Sequence, residues 1–486
     1  MYKSTRGNET CLSSKAILSG IAKDGGLYCP IHLGSFSLCE SDLNLSYLEI
    51  AKKVYAFFLD DFSSEEIAEV LKDCYQEKDF NKHIVGLKKL GDFNCLSLYH
   101  GPTFAFKDMA LSAISPLFKK AKEKEGNTSK NIILTATSGD TGSATLSGFH
   151  QDEDTSVVVL YPHLMISEFQ EAQMHFFKDH KNHVIAIDGN FDDCQAIVKE
   201  AFSSVQLKHA NFSSANSINI ARIIPQVVYY FYSYLQMVKN EEIKLGEFVN
   251  FSVPTGNFGN ILAGYYAKML GCPIHKLITA SNQNDVLTDF FETGIYNKNR
   301  DFHNTISPSM DILISSNLER LLSILSDDDS KLVSNLMNDL KEKGIYEIPN
   351  QMKSKLSDFS AFSVSEKETK ETIKSIYDKH HFLVDPHTAC GIHAYQKYVN
   401  KTKDQTKTIV LSTASPLKFS DAVLSALSLK QGHAKSNIHT LVELCAEIDD
   451  PRAYQYLDLK ISRVIWSKKE ALSKLKDLVG DLDVNS

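Results

Sequence analysis

The chain has 486 residues, of which 43% are hydrophobic and 23% charged, and its formal net charge is −8. This is an ordinary globular composition for two or three domains, and its negative charge excludes a global positive field that would hold nucleic acid or an anionic membrane. The nine cysteines are odd in number and never spaced C-x-x-C, which argues against a disulfide framework and a zinc ribbon.

No segment has the pattern of an export signal or a membrane span. Residues 1–30 contain charges and glycines but no continuous apolar core, and no stretch approaches the ~20 apolar residues that cross a bilayer. We therefore expect a cytoplasmic protein with no membrane or nucleic-acid partner and no bound metal. Its oligomeric state is left open between monomer and homodimer.

The first 92 residues are predicted to form a separate, helix-rich N-terminal domain. Apolar side chains recur at helical spacing over 45–59 and again over 64–75, whereas strand-like runs are few.

From residue 93 onward, short β-branched runs alternate with segments of helical spacing. Such alternation implies right-handed crossovers and a mostly parallel sheet with helices on both faces. The pattern occurs before and after residue 215, so we predict an α/β fold with two doubly wound, mostly parallel sheets. The predicted strands are 131–136, 156–161, 183–187, 248–253, 276–280 and 407–412, and the predicted helices include 168–177 and 218–237.

These patterns suggest a catalytic core over 93–430, with a smaller subdomain at about 116–215 inserted in a larger one. Residues 431–486 are predicted to be a C-terminal tail, in which no motif is found.

Lys107 stands in GPTFAFKDMAL (101–111), among aromatic side chains and directly before a predicted helix. Apolar spacing from Met109 onward begins that helix, and Pro116 is predicted to kink it or to restart it with Ser115 as the N-cap. The aromatic shell and the positive end of the helix dipole both disfavour an ammonium ion. A neutral lysine amine forms Schiff bases with carbonyl compounds; an ordinary surface lysine is the alternative.

Two loops of small residues each follow a predicted strand and open a helix. TSGDTGSA (137–144) and PTGNFGN (254–260) would present unbonded N–H groups at the positive end of a helix, which suits an anion. Gly256 and Gly259 remove side chains where a phosphate must touch backbone nitrogen. Neither loop has the spacing of a nucleotide or dinucleotide motif. A tight turn is the alternative for each loop, but two such loops at strand ends favour a ligand.

NSINIAR (216–222) precedes a strongly apolar helix. Asn219 and Arg222 are one helical turn apart, so we expect both side chains to face the same way. Arg222 is suited to binding a phosphate or carboxylate through two hydrogen bonds, with an exposed arginine on an amphipathic helix as the alternative.

STASPLK (412–418) runs from a strand end into a helix. Thr413 and Ser415 are neutral hydrogen-bonding groups, and Lys418 is a cation near the helix start. By pattern alone this is an ordinary helix cap.

A reactive lysine and two anion-binding loops together indicate a cofactor with both a carbonyl and a phosphate group, namely pyridoxal phosphate. Nine segments of the chain carry a further signal: STRG (4–7), DGGLY (24–28), HGPTFAFKD (100–108), TSGDTGSA, NSINIAR, PTGNFGNILAG (254–264), DILISSNLERLL (311–322), DPHTA (385–389) and STASP (412–416). With these segments in this order, residues 1 to about 425 resemble the threonine synthase family. That family belongs to the tryptophan-synthase-β-like, fold type II group of pyridoxal phosphate enzymes.

The resemblance implies a role for each candidate residue. Lys107 would form the Schiff base with the cofactor and later act as a base, and Thr413 would meet the pyridine nitrogen. The residues implied to hold the cofactor phosphate are Gly256, Asn257, Phe258, Gly259 and Asn260. Those implied to surround the carboxylate and phosphate of the substrate are Ser138, Asp140, Thr141, Asn219 and Arg222.

The implied activity is that of a lyase of threonine biosynthesis, which converts O-phospho-L-homoserine and water into L-threonine and phosphate by γ-elimination and β-addition of water. One alternative is a synthase-like phospho-lyase that releases 2-oxobutanoate, ammonia and phosphate from O-phosphohomoserine or O-phosphothreonine. Another is a non-enzymatic sensor of a phosphate ligand. GNFG (256–259) favours the synthase, whereas Ser415 stands where the family usually has a histidine and favours the phospho-lyase.

Overall fold

Three sheets, of three, six and five strands, and a two-stranded ribbon organise the chain. The computed structural model describes residues 1–76, 79–80, 83–204, 212–213 and 215–484. Among these residues, no helix is long and apolar enough to cross a membrane.

The N-terminal region combines a small antiparallel sheet, in the order β2-β1-β3, with amphipathic helices. Ser46 and Ser63 begin two of the helices, and each forms a capping box with a glutamate three residues later, which satisfies amides that the first helical turn leaves unbonded. Both helices lie where the apolar spacing predicts them. The elements are β1 (Tyr2–Ser4), β2 (Thr10–Cys11), α1 (Ser13–Ser19), β3 (Tyr28–Pro30), α2 (Tyr47–Phe58) and α3 (Ser64–Cys74).

Residues 86–213 supply the edge of the large sheet, a long helix and most of the five-stranded sheet. Their β-branched runs are buried on both faces, as expected for strands covered by helices. The elements are β4 (Gly86–Leu90), β5 (Phe93–Ser97), α4 (Asp108–Glu125), β6 (Asn131–Ala136), α5 (Asp140–Phe149), β7 (Thr155–Pro162), α6 (Glu168–Phe176), β8 (Asn182–Asp188), α7 (Phe191–Ser203) and β9 (Phe212–Ser213).

Residues 224–402 complete most of the large sheet and its covering helices. The elements are α8 (Ile224–Lys239), β10 (Val249–Pro254), α9 (Gly259–Leu270), β11 (Ile274–Ser281), α10 (Val286–Thr293), β12 (Ile295–Asn297), α11 (Leu318–Leu325), α12 (Ser330–Glu342), β13 (Ile345–Glu347), α13 (Asn350–Ser354), β14 (Phe359–Ser363), α14 (Glu366–His380) and α15 (Pro386–Thr402). The remaining elements are β15 (Thr408–Ser412), α16 (Ser420–Ala426), α17 (Ala434–Leu444), α18 (Pro451–Leu457), β16 (Val464–Ser467) and α19 (Lys468–Val484).

The two large sheets confirm the predicted α/β class. The six-stranded sheet has the order β14-β11-β10-β15-β5-β4, and only β4 runs antiparallel to its neighbour. The five-stranded sheet has the order β16-β8-β7-β6-β9 and is parallel throughout. All six predicted strands are present, within two residues at each end. Because the strands are parallel, the loops that follow β10 and β15 leave the same edge of their sheet.

Two strands cross the predicted domain boundaries. β4 precedes residue 92 yet pairs with β5, and β16 lies in the predicted tail yet pairs with β8. Both are short edge strands in which a single side chain is buried, Leu90 in β4 and Trp466 in β16, so neither has the long apolar run by which buried strands are predicted. The division at residues 92 and 430 stays a prediction.

The predicted restart of the helix after Lys107 is wrong. α4 is continuous through Pro116, and Ser115 donates to Asp152 Oδ2 (3.3 Å) without capping a helix. The proline removes a single amide donor, and ten buried side chains along α4 hold the helix together around it.

Candidate active site

The candidate site lies where the ends of β6, β10 and β15 approach the segment that carries Lys107. Phe106 N donates to Thr413 O (2.7 Å), and Ala105 forms a bridge with Ala414. The lysine segment is therefore fastened to the residues that follow β15.

Lys107 is a largely buried amine among charged groups. Its Nζ lies 3.6 Å from Asp140 Oδ2 and donates to Ser309 Oγ (3.4 Å). Burial lowers the pKa of Lys107 to about 8; Asp140 opposes the shift, and the charges of Lys418 and Arg222 add to it. The predicted reactive amine is thus supported, but its physical cause is burial and neighbouring cations.

The aromatic neighbours of Lys107 are engaged elsewhere. The Phe104 ring packs against Phe169 and Tyr456, and Arg452 lies over its face at 5.0 Å from the centroid. Phe104 also adopts a left-handed backbone, with φ of 60°, which turns the chain sharply ahead of the lysine.

Asp140 is the counter-ion of this cluster. Its Oδ1 accepts from Gln170 Nε2 (2.9 Å) and lies 2.9 Å from Lys418 Nζ, while its Oδ2 accepts from Ser309 Oγ (2.9 Å). Burial would raise the pKa of Asp140, but the two lysines hold it well below its usual range. An ionised carboxylate repels other anions, so these contacts place Asp140 beside the lysines and give no support to its predicted contact with a carboxylate or phosphate of the substrate, which stays a prediction.

Lys418 belongs to the site, although its sequence pattern indicates only a helix cap. Its side chain is fully buried, and Nζ donates to Thr103 O (2.8 Å) besides pairing with Asp140. The available signal was a lysine between Leu417 and Phe419, because a cation with apolar neighbours on both sides needs a buried partner.

The loop 256–260 has the features of a phosphate cradle. Its side chains serve the protein: Asn260 bonds to Thr255 and to Pro254 O, and the buried Phe258 ring stacks on Phe291. Asn257 is exposed. Among the described residues, the amides of Gly256, Asn257 and Phe258 have no hydrogen-bond acceptor, so they are free for an anion at the start of α9.

Two close approaches show why this loop needs glycine. A Cβ on Gly256 would lie 2.7 Å from Ser309 O, and one on Gly259 would lie 3.3 Å from Ile223 Cδ1. Phe258 itself has φ of 64°, a conformation that is unusual for a bulky side chain and is associated with functional turns.

Asn219 and Arg222 have different roles in the structure. Asn219 caps a short 3-10 turn, accepting from Ala221 N (3.0 Å) and donating to Ile17 O (2.9 Å), so its predicted substrate contact lacks geometric support. Arg222 is buried and donates to Ala215 O, but among the described residues its Nε has no partner. Burial lowers the pKa of Arg222 to about 10. A buried donor without an acceptor suits an anionic ligand.

The hydroxyl groups named from the sequence differ in availability. Those of Ser138, Thr141 and Thr413 make no hydrogen bond to any residue within the described ranges, and Ser138 is exposed. Ser415 instead accepts from Leu417 N (3.3 Å) and caps the turn Pro416–Phe419. The first three remain candidates for ligand contacts.

The buried Asp385 and His387 and the half-buried Ser309 form a hydrogen-bonded chain that the site prediction omits. His387 Nδ1 lies 2.6 Å from Asp385 Oδ2, and Ser309 N donates to His387 Nε2 (3.1 Å). Because Nε2 accepts, the imidazole carries its proton on Nδ1, which donates to Asp385. The chain fixes the turn that places Ser309 Oγ between Asp140 and Lys107. Its sequence signal is the segment DPHTA (385–389), which contains both Asp385 and His387.

The residues fit a ligand with an aldehyde and a phosphate. The amine of Lys107, the free amides of 256–258 and the unbonded Thr413 hydroxyl would meet its carbonyl, phosphate and ring nitrogen. In the described part of the chain, no group of three or more His, Cys, Asp or Glu side chains could hold a metal ion.

Three family profiles match the chain along most of its length. Residues 1–75 match the profile described as threonine synthase N terminus, and residues 95–414 match that of pyridoxal-phosphate dependent enzymes. Residues 388–457 match the profile of the threonine synthase C-terminal region. The second profile alone covers more than half of the chain.

Individual proteins are similar over nearly the whole chain. Threonine synthase from Schizosaccharomyces pombe is 40% identical over 462 residues, which cover 88% of this chain and 89% of that protein. The pyridoxal-phosphate-bound structure of threonine synthase from Brucella melitensis is 34% identical with a TM-score of 0.87, and 98% of each chain is covered. Yeast threonine synthase is 34% identical with a TM-score of 0.89, covering 100% of this chain and 98% of that one.

Proposed function

Because the chain belongs to the threonine synthase family of pyridoxal-phosphate-dependent enzymes, we propose that it converts O-phospho-L-homoserine and water into L-threonine and phosphate. Its cofactor is pyridoxal phosphate. The observation that carries the proposal is the buried Lys107 amine, whose pKa is about 8, facing the free amides of the 256–258 turn across Ser309.

When bound, pyridoxal phosphate supplies an aldehyde that condenses with amines and a ring that accepts the electron pair released at the substrate's Cα. Lys107 would hold the aldehyde until the substrate's amino group replaces it. The freed amine would then take the proton from Cα, and later protons at Cβ. A pKa near the working pH lets one group both accept and donate protons.

Asp140 and Lys418 would keep this amine in place while it changes its charge. Asp140 forms ion pairs with both lysines when Lys107 is protonated, and it keeps the ion pair with Lys418 when Lys107 is neutral. The carboxylate is therefore paired in both protonation states of Lys107. When both lysines are charged they share one negative charge, and the repulsion between them lowers the pKa of Lys107.

The remaining contacts would orient the ligands. The amides of 256–258 would bind the cofactor phosphate, and the neutral Thr413 hydroxyl would meet the pyridine nitrogen without forcing a charge on it. Arg222 would bind an anionic group of the substrate, with Ser138 and Thr141 beside it. These assignments, a cytoplasmic location and a monomeric or homodimeric state stay predictions.

The test is product analysis with O-phospho-L-homoserine and the cofactor-loaded enzyme. We expect L-threonine and phosphate in equal amounts. Release of 2-oxobutanoate and ammonia without threonine would instead identify the phospho-lyase reaction. Lys107→Ala should abolish both the product and the visible absorbance of the bound cofactor, whereas Lys119→Ala, an exposed position on α4, should change neither.

A further inference from the structure

Arg320, on α11, is a fully buried cation without a carboxylate partner among the described residues. Its Nε donates to Tyr28 O (2.9 Å), Nη1 to Asn317 Oδ1, and Nη2 to Ile218 O (2.5 Å). All three acceptors are uncharged. A buried charge is costly unless it is compensated, so the environment of Arg320 lacks a counter-charge.

The contacts of Arg320 lead to the loop 256–260. Asn317, which accepts from Arg320, donates to Asn257 O through both Nδ2 (3.0 Å) and its backbone amide (3.1 Å). Ser315 Oγ donates to Gly256 O (2.6 Å). A Cβ on Gly259 would lie 3.5 Å from Asn317 Nδ2. The segment 315–320 therefore lies directly against the carbonyl side of this loop.

Holding the carbonyl oxygens also orients the amides. In a planar trans peptide the C=O and the following N–H point in opposite directions, and no described peptide bond is cis. With the carbonyls of Gly256 and Asn257 bound to Ser315 and Asn317, the amides of Asn257 and Phe258 point away from segment 315–320. Oriented amides of this kind form an anion site.

We propose that Arg320 is a positioning residue for the cofactor phosphate. Through Asn317 it holds loop 256–260 in the conformation in which the amides converge on the phosphate, and the phosphate supplies the negative charge that Arg320 lacks. The proposal rests on the pyridoxal phosphate requirement of the proposed function. It deepens that function by making selection for a phosphorylated cofactor depend on a residue that does not touch it.

The test compares pyridoxal phosphate with pyridoxal, which has the same aldehyde and ring but no phosphate. Cofactor-free full-length protein is titrated with each compound, and the dissociation constant is read from the visible absorbance. We expect Arg320→Gln to weaken pyridoxal phosphate binding about 100-fold, as for loss of a charged partner. Pyridoxal binding should change less than about threefold, because pyridoxal has no phosphate that could interact with the oriented amides or balance the charge of Arg320.

A second variant keeps the experiment decisive if Arg320→Gln does not fold. Asn317→Asp has the same shape, removes the side-chain donor to Asn257 O while keeping the backbone donor, and gives Arg320 a protein counter-charge. We expect it to weaken pyridoxal phosphate at least about tenfold and to leave pyridoxal unchanged. Arg300→Gln is the control, since Arg300 pairs with Asp285 and Asp289 and should preserve both constants.

Equal weakening of both compounds would overturn the proposal, because it would indicate general damage to the site. Unchanged binding of pyridoxal phosphate in both variants would also overturn it. Neither result bears on the reaction, which is tested separately by the wild-type product. Wild-type protein that binds the cofactor yet makes no threonine would contradict the proposed function and leave the role of Arg320 standing.

Discussion

At the scale of single residues, the site is a balance of four largely buried charges, three positive and one negative. Lys107 and Lys418 share Asp140, and Arg222 adds a further positive charge nearby. The sequence identifies Lys107 from its aromatic neighbours, but the structure attributes its lowered pKa to burial and to cations from distant segments. The same two lysines hold the pKa of Asp140 well below its usual range and so keep it ionised.

Replacing Lys107 should stabilise the cofactor-free protein at neutral pH. The folded-state pKa of about 8 lies below the ordinary 10.5, so the lysine opposes folding fully below pH 8 and no longer above pH 10.5. We expect Lys107→Met to raise the free energy of unfolding by about 1–3 kcal/mol at pH 7, less what Asp140 loses as a partner. Urea denaturation should show that the difference in unfolding free energy between Lys107→Met and wild type decreases from pH 8 to pH 10.5. The substitution of an exposed lysine, Lys119→Met, should show no such trend. A difference in unfolding free energy that is constant across this pH range would contradict the lowered pKa of Lys107.

Removing the second lysine should make Lys107 a weaker nucleophile. Lys418 lowers the pKa of Lys107 by repulsion, so Lys418→Met leaves Asp140 to stabilise the Lys107 ammonium alone. We expect the rate of aldehyde addition to cofactor-free protein to have its pH midpoint above 8. Lys122→Met, which replaces a buried lysine on α4 outside the site, should keep the midpoint. A midpoint at or below 8 in Lys418→Met would show that repulsion from Lys418 is unimportant.

At the scale of elements, the site depends on how helices start. α5 begins after Gly139, whose φ is 131°, and a Cβ there would lie 2.4 Å from Gln170 Cδ. Gln170 in turn donates to Asp140. The sequence predicts this strand-to-helix loop, but its predicted unbonded amides are partly engaged, because the amides of Gly139 and Gly142 donate to Thr137 Oγ1 (2.9 Å each). The contact with α6 depends on how the two helices pack.

Gly139→Ala should destabilise the protein and disturb the site together. The left-handed backbone costs about 1–2 kcal/mol for alanine, and the overlap with Gln170 should bring the loss in unfolding free energy to about 2–4 kcal/mol. Gly126→Ala is the matched control, because φ there is 62° and no atom lies within 4 Å of the new Cβ. Equal losses in the two variants would show that the Gln170 contact has no consequence. The measurement is urea denaturation, with the Michaelis constant as the second readout.

At the scale of the whole molecule, the C-terminal segment joins the two large sheets to the lysine segment. Arg452 donates to His100 O (3.0 Å) and to Asp79 O, and Tyr456 donates to Pro102 O (2.6 Å). Farther along, Arg463 pairs with Glu171 on α6, and β16 completes the five-stranded sheet. The predicted tail is therefore an integral part of the structure around the site.

Arg452→Gln should show how far these contacts of the C-terminal segment stabilise the protein and the Lys107 segment. The guanidinium is largely buried, pairs with Asp450 and covers the Phe104 ring, so its loss should lower the unfolding free energy by about 2–4 kcal/mol. Turnover should also fall, because the Lys107 segment loses support. Arg463→Gln, with an arginine that is 40% exposed, should cost about 1 kcal/mol or less. Equal stability and activity of the two variants would contradict a stabilising role of Arg452 for the Lys107 segment.

The sequence by itself determined the α/β class, the six buried strands and the position of the loop 256–260, because each depends on local spacing and residue type, and it predicts Lys107 as the reactive lysine. Only the tertiary structure decided that Asp140 pairs with lysines, that Asn219 caps a turn, that Lys418 is buried against Asp140, and that His387 and Arg320 have their buried hydrogen-bond partners. Locating the edge strands β4 and β16 also required the tertiary structure. The physical reason is that a charge or an edge strand takes its role from its partner, and several partners lie far away along the chain: Lys418 pairs with Asp140, Arg320 donates to Tyr28 O, and β16 pairs with β8.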